Sequence, residues 1–133
     1  MSLANVDLVR RAYDVAYVER SVENVRALAS DDWVFHGRPE FPGRQVYRME
    51  EMPEIWADLD ETYSEFSLTP EDFTPIGKEH VVVRIKTSAR LRGSELRMDA
   101  TQYHIWHVQA GKLRETWACN TRQEALEAAG LRE

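Results

Sequence analysis

Apolar residues recur at helical spacing in the first third of the chain. Val6, Val9, Ala12, Tyr13, Ala16 and Tyr17 fall on one face of a helix, with Asn5 as its expected N-cap. A second short helix is predicted from Ser21, with Val22, Val25 and Leu28 as its stripe and Glu23 at its positive end. Trp33-Val34-Phe35-His36 then has the aromatic and β-branched content of a short strand. The Gly- and Pro-rich "GRPEFPGRQ" predicts a loop. Met52, Ile55, Trp56, Leu59 and Tyr63 return to helical spacing, and Pro53 is tolerated near that helix's start.

The pattern changes beyond residue 63. Residues 64–76 read as a strand broken at Pro70, and residues 80–92 and 95–109 as long strands joined at Gly93-Ser94. Ala110-Gly111 makes the next turn before a last strand over 113–120. Thr121-Arg122-Gln123-Glu124 is a capping box opening a short final helix in "EALEAAGL". Helices segregated from a run of antiparallel strands predict an α+β fold. No repeat or linker interrupts the sequence, so residues 1–133 are expected to form one domain.

Alternation splits the strand over residues 95–109 into two faces. Met98, Ala100, Gln102, His104 and Trp106 share the more apolar one, with Val83, Ile85, Thr87 and Ala89 as expected cross-strand neighbours. Arg97, Asp99, Thr101, Tyr103, Ile105 and His107 share the other, together with Arg84, Lys86 and Ser88. The first face is expected to be concave and buried. Gln102 and His104 are then polar groups among apolar ones, which require partners or a ligand.

Composition narrows the function classes. The 133 residues carry a net charge of −6, against nucleic acid or an anionic membrane surface as partner. Apolar runs are too short to span a bilayer, and the first residues lack the apolar core of a signal peptide. The lone Cys119 forms no internal disulfide and is expected to be structural; a reducing, cytoplasmic location fits. His36, His80, His104 and His107 have no metal-binding spacing, so no metal is expected, and no cofactor motif is present. Residues 50–72 hold nine acidic and no basic residues, opposite a basic group at Arg84, Lys86, Arg90, Arg92 and Arg97. That asymmetry suits a solvated face or the steering of a partner.

Several stretches in this order resemble a known family. They are "LVRRAYDVAY", "SDDWVFHGRPEFPG", "VYRMEEMPEIW", "QYHIWHVQAGKL" and "QEALEAAGL". Together they resemble the SnoaL-like polyketide cyclase and ketosteroid isomerase-like branch of the nuclear transport factor 2-like superfamily. The resemblance covers nearly the whole chain. It implies a cone-shaped α+β barrel: a strongly curved mixed or antiparallel sheet around three N-terminal helices, plus a short C-terminal helix. It also implies a conical pocket for a small apolar organic ligand, and a homodimer formed through the convex face of the sheet.

Carried over singly, the isomerase's oxyanion-binding tyrosine falls on Tyr13, and its protonated aspartic acid on His104. Its general-base aspartate falls on Gly37, so steroid isomerisation by the family mechanism is not expected. Glu40 and His36 flank that gap and are the candidate bases. An epoxide hydrolase of this fold needs an inward carboxylate where Ala118 or Thr121 stands, which disfavours that activity too. The resemblance points Thr116, Ala118 and Asn120 inward and Trp117 and Cys119 outward, with Trp117 as a dimer contact. Tyr17, Trp33, Phe35, Trp56, Gln102, Trp106, Thr116 and Asn120 are the expected ligand-lining residues. Trp33, Trp56 and Trp106 form either a sleeve for a flat ligand or plain core. Two functions stay open: acid/base isomerase, cyclase or hydratase chemistry beside a carbonyl, or a non-catalytic binding or interaction module.

Overall fold

The computed structural model describes residues 3–131. Helix α1 (Leu3–Tyr13) runs directly into a π-helical turn, Asp14–Val18. Helix α2 (Val22–Leu28) leads into β1 (Ala29–His36) and the short β2 (Val46–Arg48). A 3₁₀ turn at Met49–Glu51 precedes α3 (Met52–Thr62). Strands β3 (Tyr63–Ile76), β4 (His80–Leu91), β5 (Arg97–Gln109) and β6 (Lys112–Cys119) follow, and α4 (Arg122–Ala128) closes the described chain.

The six strands form one sheet in the order β2-β1-β6-β5-β4-β3. Neighbours are antiparallel except β1 and β6, which run parallel and pair Phe35 with Thr116. The fold is therefore a mixed α+β cone. The helices α1 to α3 fill its concave side, where Val9, Tyr13, Trp33, Tyr47, Ile85 and Trp106 are all buried in one apolar cluster.

Local chemistry explains the element ends. Ser21 Oγ accepts from the Asn24 amide at 3.2 Å and caps α2. Thr121 Oγ1 accepts from Glu124 at 3.1 Å and caps α4, while the Glu124 carboxylate reaches back to the Asn120 amide, one residue before the cap. Asn5 is not a cap: α1 already starts at Leu3, and the Asn5 amide donates to the Lys78 carbonyl at 2.9 Å. Residue 70 bends β3 without ending it. The register slips between Pro70 and Asp72, and an edge strand tolerates the missing N–H. Strand β2, only three residues long, has too little alternation to be read from sequence.

The β4–β5 register places Val83 opposite His104 and Ile85 opposite Gln102, as alternation requires. The convex face is less polar than expected at one end. There α4 lays Ala125 and Leu126 over Val82 and Ile105. Trp117 lies on this face, as the resemblance implied, and packs half-buried beside that cluster.

Candidate functional site

Tyr13 and Tyr17 lie one helical turn apart and their rings stack at 5.9 Å. The π turn begins immediately after Tyr13. It widens the backbone ladder, so that the Glu19 amide reaches the Asp14 carbonyl and the Ser21 amide the Val15 carbonyl. Such turns aim side chains differently from a regular helix. Across the concave side, β5 supplies Gln102, His104 and Trp106 from alternate positions.

Three of these residues form a directional chain. The indole N–H of Trp106 donates to the Tyr13 hydroxyl at 2.9 Å. The Tyr13 hydroxyl lies 2.8 Å from His104 Nδ1. An indole has a proton and no acceptor. The phenol therefore receives from Trp106 and gives its one proton to His104. Nδ1 is the acceptor, and the ring proton is assigned to Nε2. Burial, helped by the positive charge of Arg38, pushes the His104 pKa down to about 3, so the imidazole is neutral. Burial also raises Tyr13 well above its ordinary 10, which keeps its proton in place.

The Nε2–H has no protein partner. Among the described residues, the only sealed side-chain nitrogen or oxygen without a partner is Arg90 Nε. The His104 Nε2–H therefore opens on the cavity that His104 lines. The same holds for the amide of Gln102, which is 7% exposed and makes no protein hydrogen bond.

The cavity has two parts. Its inner end is walled by Tyr17, Phe35, Phe41, Leu59, His104 and Ala118, and has a volume of only about 30 Å³. A wider mouth of about 310 Å³ adjoins it, sharing Arg38, Tyr63, Phe66 and Gln102 and adding Ala89, Met98 and Glu40. The inner end takes a water or a single projecting atom group, whereas the mouth has room for a ring.

The loop between β1 and β2 carries Arg38, Glu40, Phe41 and Pro42 to this rim. Tyr47 pins it: its hydroxyl accepts from the Arg44 amide at 2.7 Å and donates to Asp58 at 2.7 Å. Arg38 donates to Asn120 Oδ1 at 2.9 Å, and Asn120 reaches Glu40 at 3.3 Å.

This architecture has a name. The sequence matches the family described as "SnoaL-like domain" over residues 9–116. The chain belongs to the SnoaL-like domain family. No curated protein sequence matches it significantly. Solved structures share the SnoaL-like fold. An NTF2-like protein of unknown function from Burkholderia pseudomallei is 20% identical, with a TM-score of 0.73 over 96% of this chain and 97% of its own. A candidate SnoaL-like polyketide cyclase from Jannaschia sp. CCS1 is 18% identical, with a TM-score of 0.72 over 95% and 90%. IdmH from Streptomyces antibioticus, also described as a candidate polyketide cyclase, is 18% identical, with a TM-score of 0.69 over 98% and 100%.

Within this SnoaL-like domain, Tyr17, Phe35, Gln102 and His104 line the inner cavity, and Glu40 lines the mouth. Tyr13 does not reach the wall; it stands behind His104 and is 3% exposed. The expected aromatic sleeve is core. Trp33 donates to the buried Thr116 hydroxyl at 3.1 Å, Trp106 is tied to Tyr13, and Trp56 packs in the same cluster. Thr116 is consumed by Trp33 and lines neither part of the cavity. Asn120 is exposed at the rim, not buried on the concave face. His36 is on the wrong side of the sheet for a base: it pairs with Glu115 and stacks on Trp117 at 5.4 Å.

Gly37 marks a filled space. A Cβ there would meet Phe41 at 3.3 Å, so the ring of Phe41 occupies the direction a side chain at 37 would take. Sequence reading missed Arg38, Phe41, Tyr63 and Phe66. Arg38 and Phe41 lie in a loop without periodicity, and Phe66 sits on an edge strand whose alternation is interrupted. Among the described residues no cluster of three metal-ligating side chains occurs. No described helix is long and apolar enough to cross a membrane.

Proposed function

We propose that this protein is a small-molecule isomerase or cyclase that acts on a carbonyl compound seated in the cavity mouth. The supporting observation is the neutral His104, whose tautomer is fixed from behind and whose Nε2–H faces an apolar cavity. Such a donor is pre-organised for an oxygen that gains negative charge, in surroundings where hydrogen bonds are stronger than in water. The substrate carbonyl oxygen accepts from Nε2–H. Glu40, the carboxylate lining the mouth, takes the proton from the carbon next to that carbonyl. The C–H electron pair moves into the enolate, and the proton returns from Glu40 to a different carbon; alternatively the enolate carbon adds to a second carbonyl of the same molecule, whose C=O pair moves onto its oxygen and takes the proton from Glu40. Tyr13 and Trp106 are positioning residues. The names of the Jannaschia and Streptomyces neighbours agree with this class of chemistry.

Proton–deuterium exchange beside the carbonyl of 2-tetralone, followed by NMR in D₂O, tests this reading. Exchange above the buffer rate, lost in His104→Gln and in Glu40→Gln, is expected. Exchange that is unaffected by both substitutions would defeat the mechanism. Binding of the ketone without exchange would favour the second reading, a non-catalytic binding protein. That reading has its own support: Gly37 supplies no base, and no carboxylate lines the inner cavity.

A further inference from the structure

The polar groups facing the cavity are unbalanced. The inner end holds Arg38, the His104 Nε2–H and the free amide of Gln102, and no carboxylate. Arg38 spends only one of its nitrogens, Nη1, on protein partners: Asn120 at 2.9 Å and Glu40 at 3.6 Å. Its Nη2 and Nε carry three further N–H groups without a protein acceptor. The ion pair with Glu40 is long, and Glu40 is 54% exposed against 21% for Arg38. Water therefore screens the carboxylate more than the guanidinium, and the pair does little to cancel the positive charge seen from inside. Arg38 also lines both parts of the cavity, at the step between mouth and inner end. A guanidinium fork at such a step matches a planar, ionised oxygen group.

We propose that the ligand is an organic anion: a ring-bearing molecule whose ionised oxygen, as a carboxylate, phenolate or enolate, pairs with Arg38. Its apolar body lies in the mouth against Tyr63, Phe66 and Met98. The Gln102 amide supplies a further donor to the same end. This inference rests on the small-molecule reading above and names the substrate class of that site. An acidic protein that turns one guanidinium inward selects anions at the pocket, not by its overall field.

Calorimetric titration with 2-naphthoate and its neutral isostere 2-naphthamide, near neutral pH, tests it. The naphthoate is expected to bind about tenfold tighter or more, as one charge-assisted contact provides. In Arg38→Gln, with an unchanged melting midpoint, the two probes are expected to bind alike. Equal binding by the unsubstituted protein, or a preference that persists in Arg38→Gln, would overturn the anion proposal. In that case a loss of naphthamide binding in His104→Gln would leave the oxygen-binding cavity standing. Failure of both probes to bind would overturn the two readings together.

Discussion

The hydroxyl of Tyr13 lies 2.8 Å from Nδ1 of His104, across a sequence separation of 91 residues. The contact fixes which nitrogen of His104 carries the proton, because Trp106 already occupies an acceptor position on the phenol oxygen. Removing that hydroxyl leaves two buried groups without partners. Tyr13→Phe is expected to lose about 2 kcal/mol or more of stability in urea denaturation. Nitrogen-15 NMR should show a pure Nε2–H tautomer in the unsubstituted protein and a mixture in the variant. A pure Nε2–H signal in both would mean that Tyr13 does not set the tautomer.

Stability should fall on mild acidification. The His104 pKa is about 3 in the folded state and 6.5 when unperturbed, so between these values the unfolded chain holds a proton that the folded chain lacks. Each pH unit of acidification in that window then costs about 1.4 kcal/mol from this group. His80, lowered by burial and by neighbouring His107, adds a loss of the same sign. Above pH 6.5 the full contribution is present. Denaturation midpoints between pH 6.5 and 4.5 should decline less steeply in His104→Gln, which keeps an acceptor for Tyr13 but does not titrate. Parallel slopes would show that His104 is not held neutral.

Gly43 should not accept a side chain. A Cβ there would collide with the Tyr47 hydroxyl and with Asp58 Oδ2. Gly43→Ala must therefore displace the pair that pins the loop carrying Arg38 and Phe41. We expect a loss of about 1–3 kcal/mol, as for other overpacked sites, and weaker probe binding. Tyr47→Phe should weaken binding in the same direction. Normal binding in both variants would show that the loop needs no anchor.

A base can be tested at the vacant position. Gly37→Asp alone meets the Phe41 ring and is expected to gain no exchange activity. Gly37→Asp combined with Phe41→Ala has room for the carboxylate. Its rate of α-proton exchange should exceed that of either single variant in the NMR assay. Equal rates would mean that the direction from residue 37 does not lead to the substrate carbon.

His104 was legible because strict alternation along β5 left it no other face, and pairing with β4 confirmed the register. Tyr13 was legible as a position but not as a role. The periodicity of α1 gives its inward face, yet only the three-dimensional packing brings Trp106 to its oxygen. The tryptophans misled as ligand contacts since rings of equal hydrophobicity serve core and cavity alike. His36 misled for a simpler reason: one step along a strand reverses the face, and Phe35 took the inward one. Arg38 lies in a loop, where no repeating geometry assigns a direction to a side chain.

The parallel pairing of β1 with β6 has a consequence for assembly. Strands β3 to β6 form a meander of near neighbours in sequence, whereas Phe35 and Thr116 must meet across most of the chain. Contacts closed over long loops tend to form late in folding. Phe35 and Arg38 come from one side of that joint and His104 and Gln102 from the other. A chain that has folded its meander but not yet closed the joint has most of its strands and no site. Closing that joint completes the site, so a molecule held there draws the two halves together.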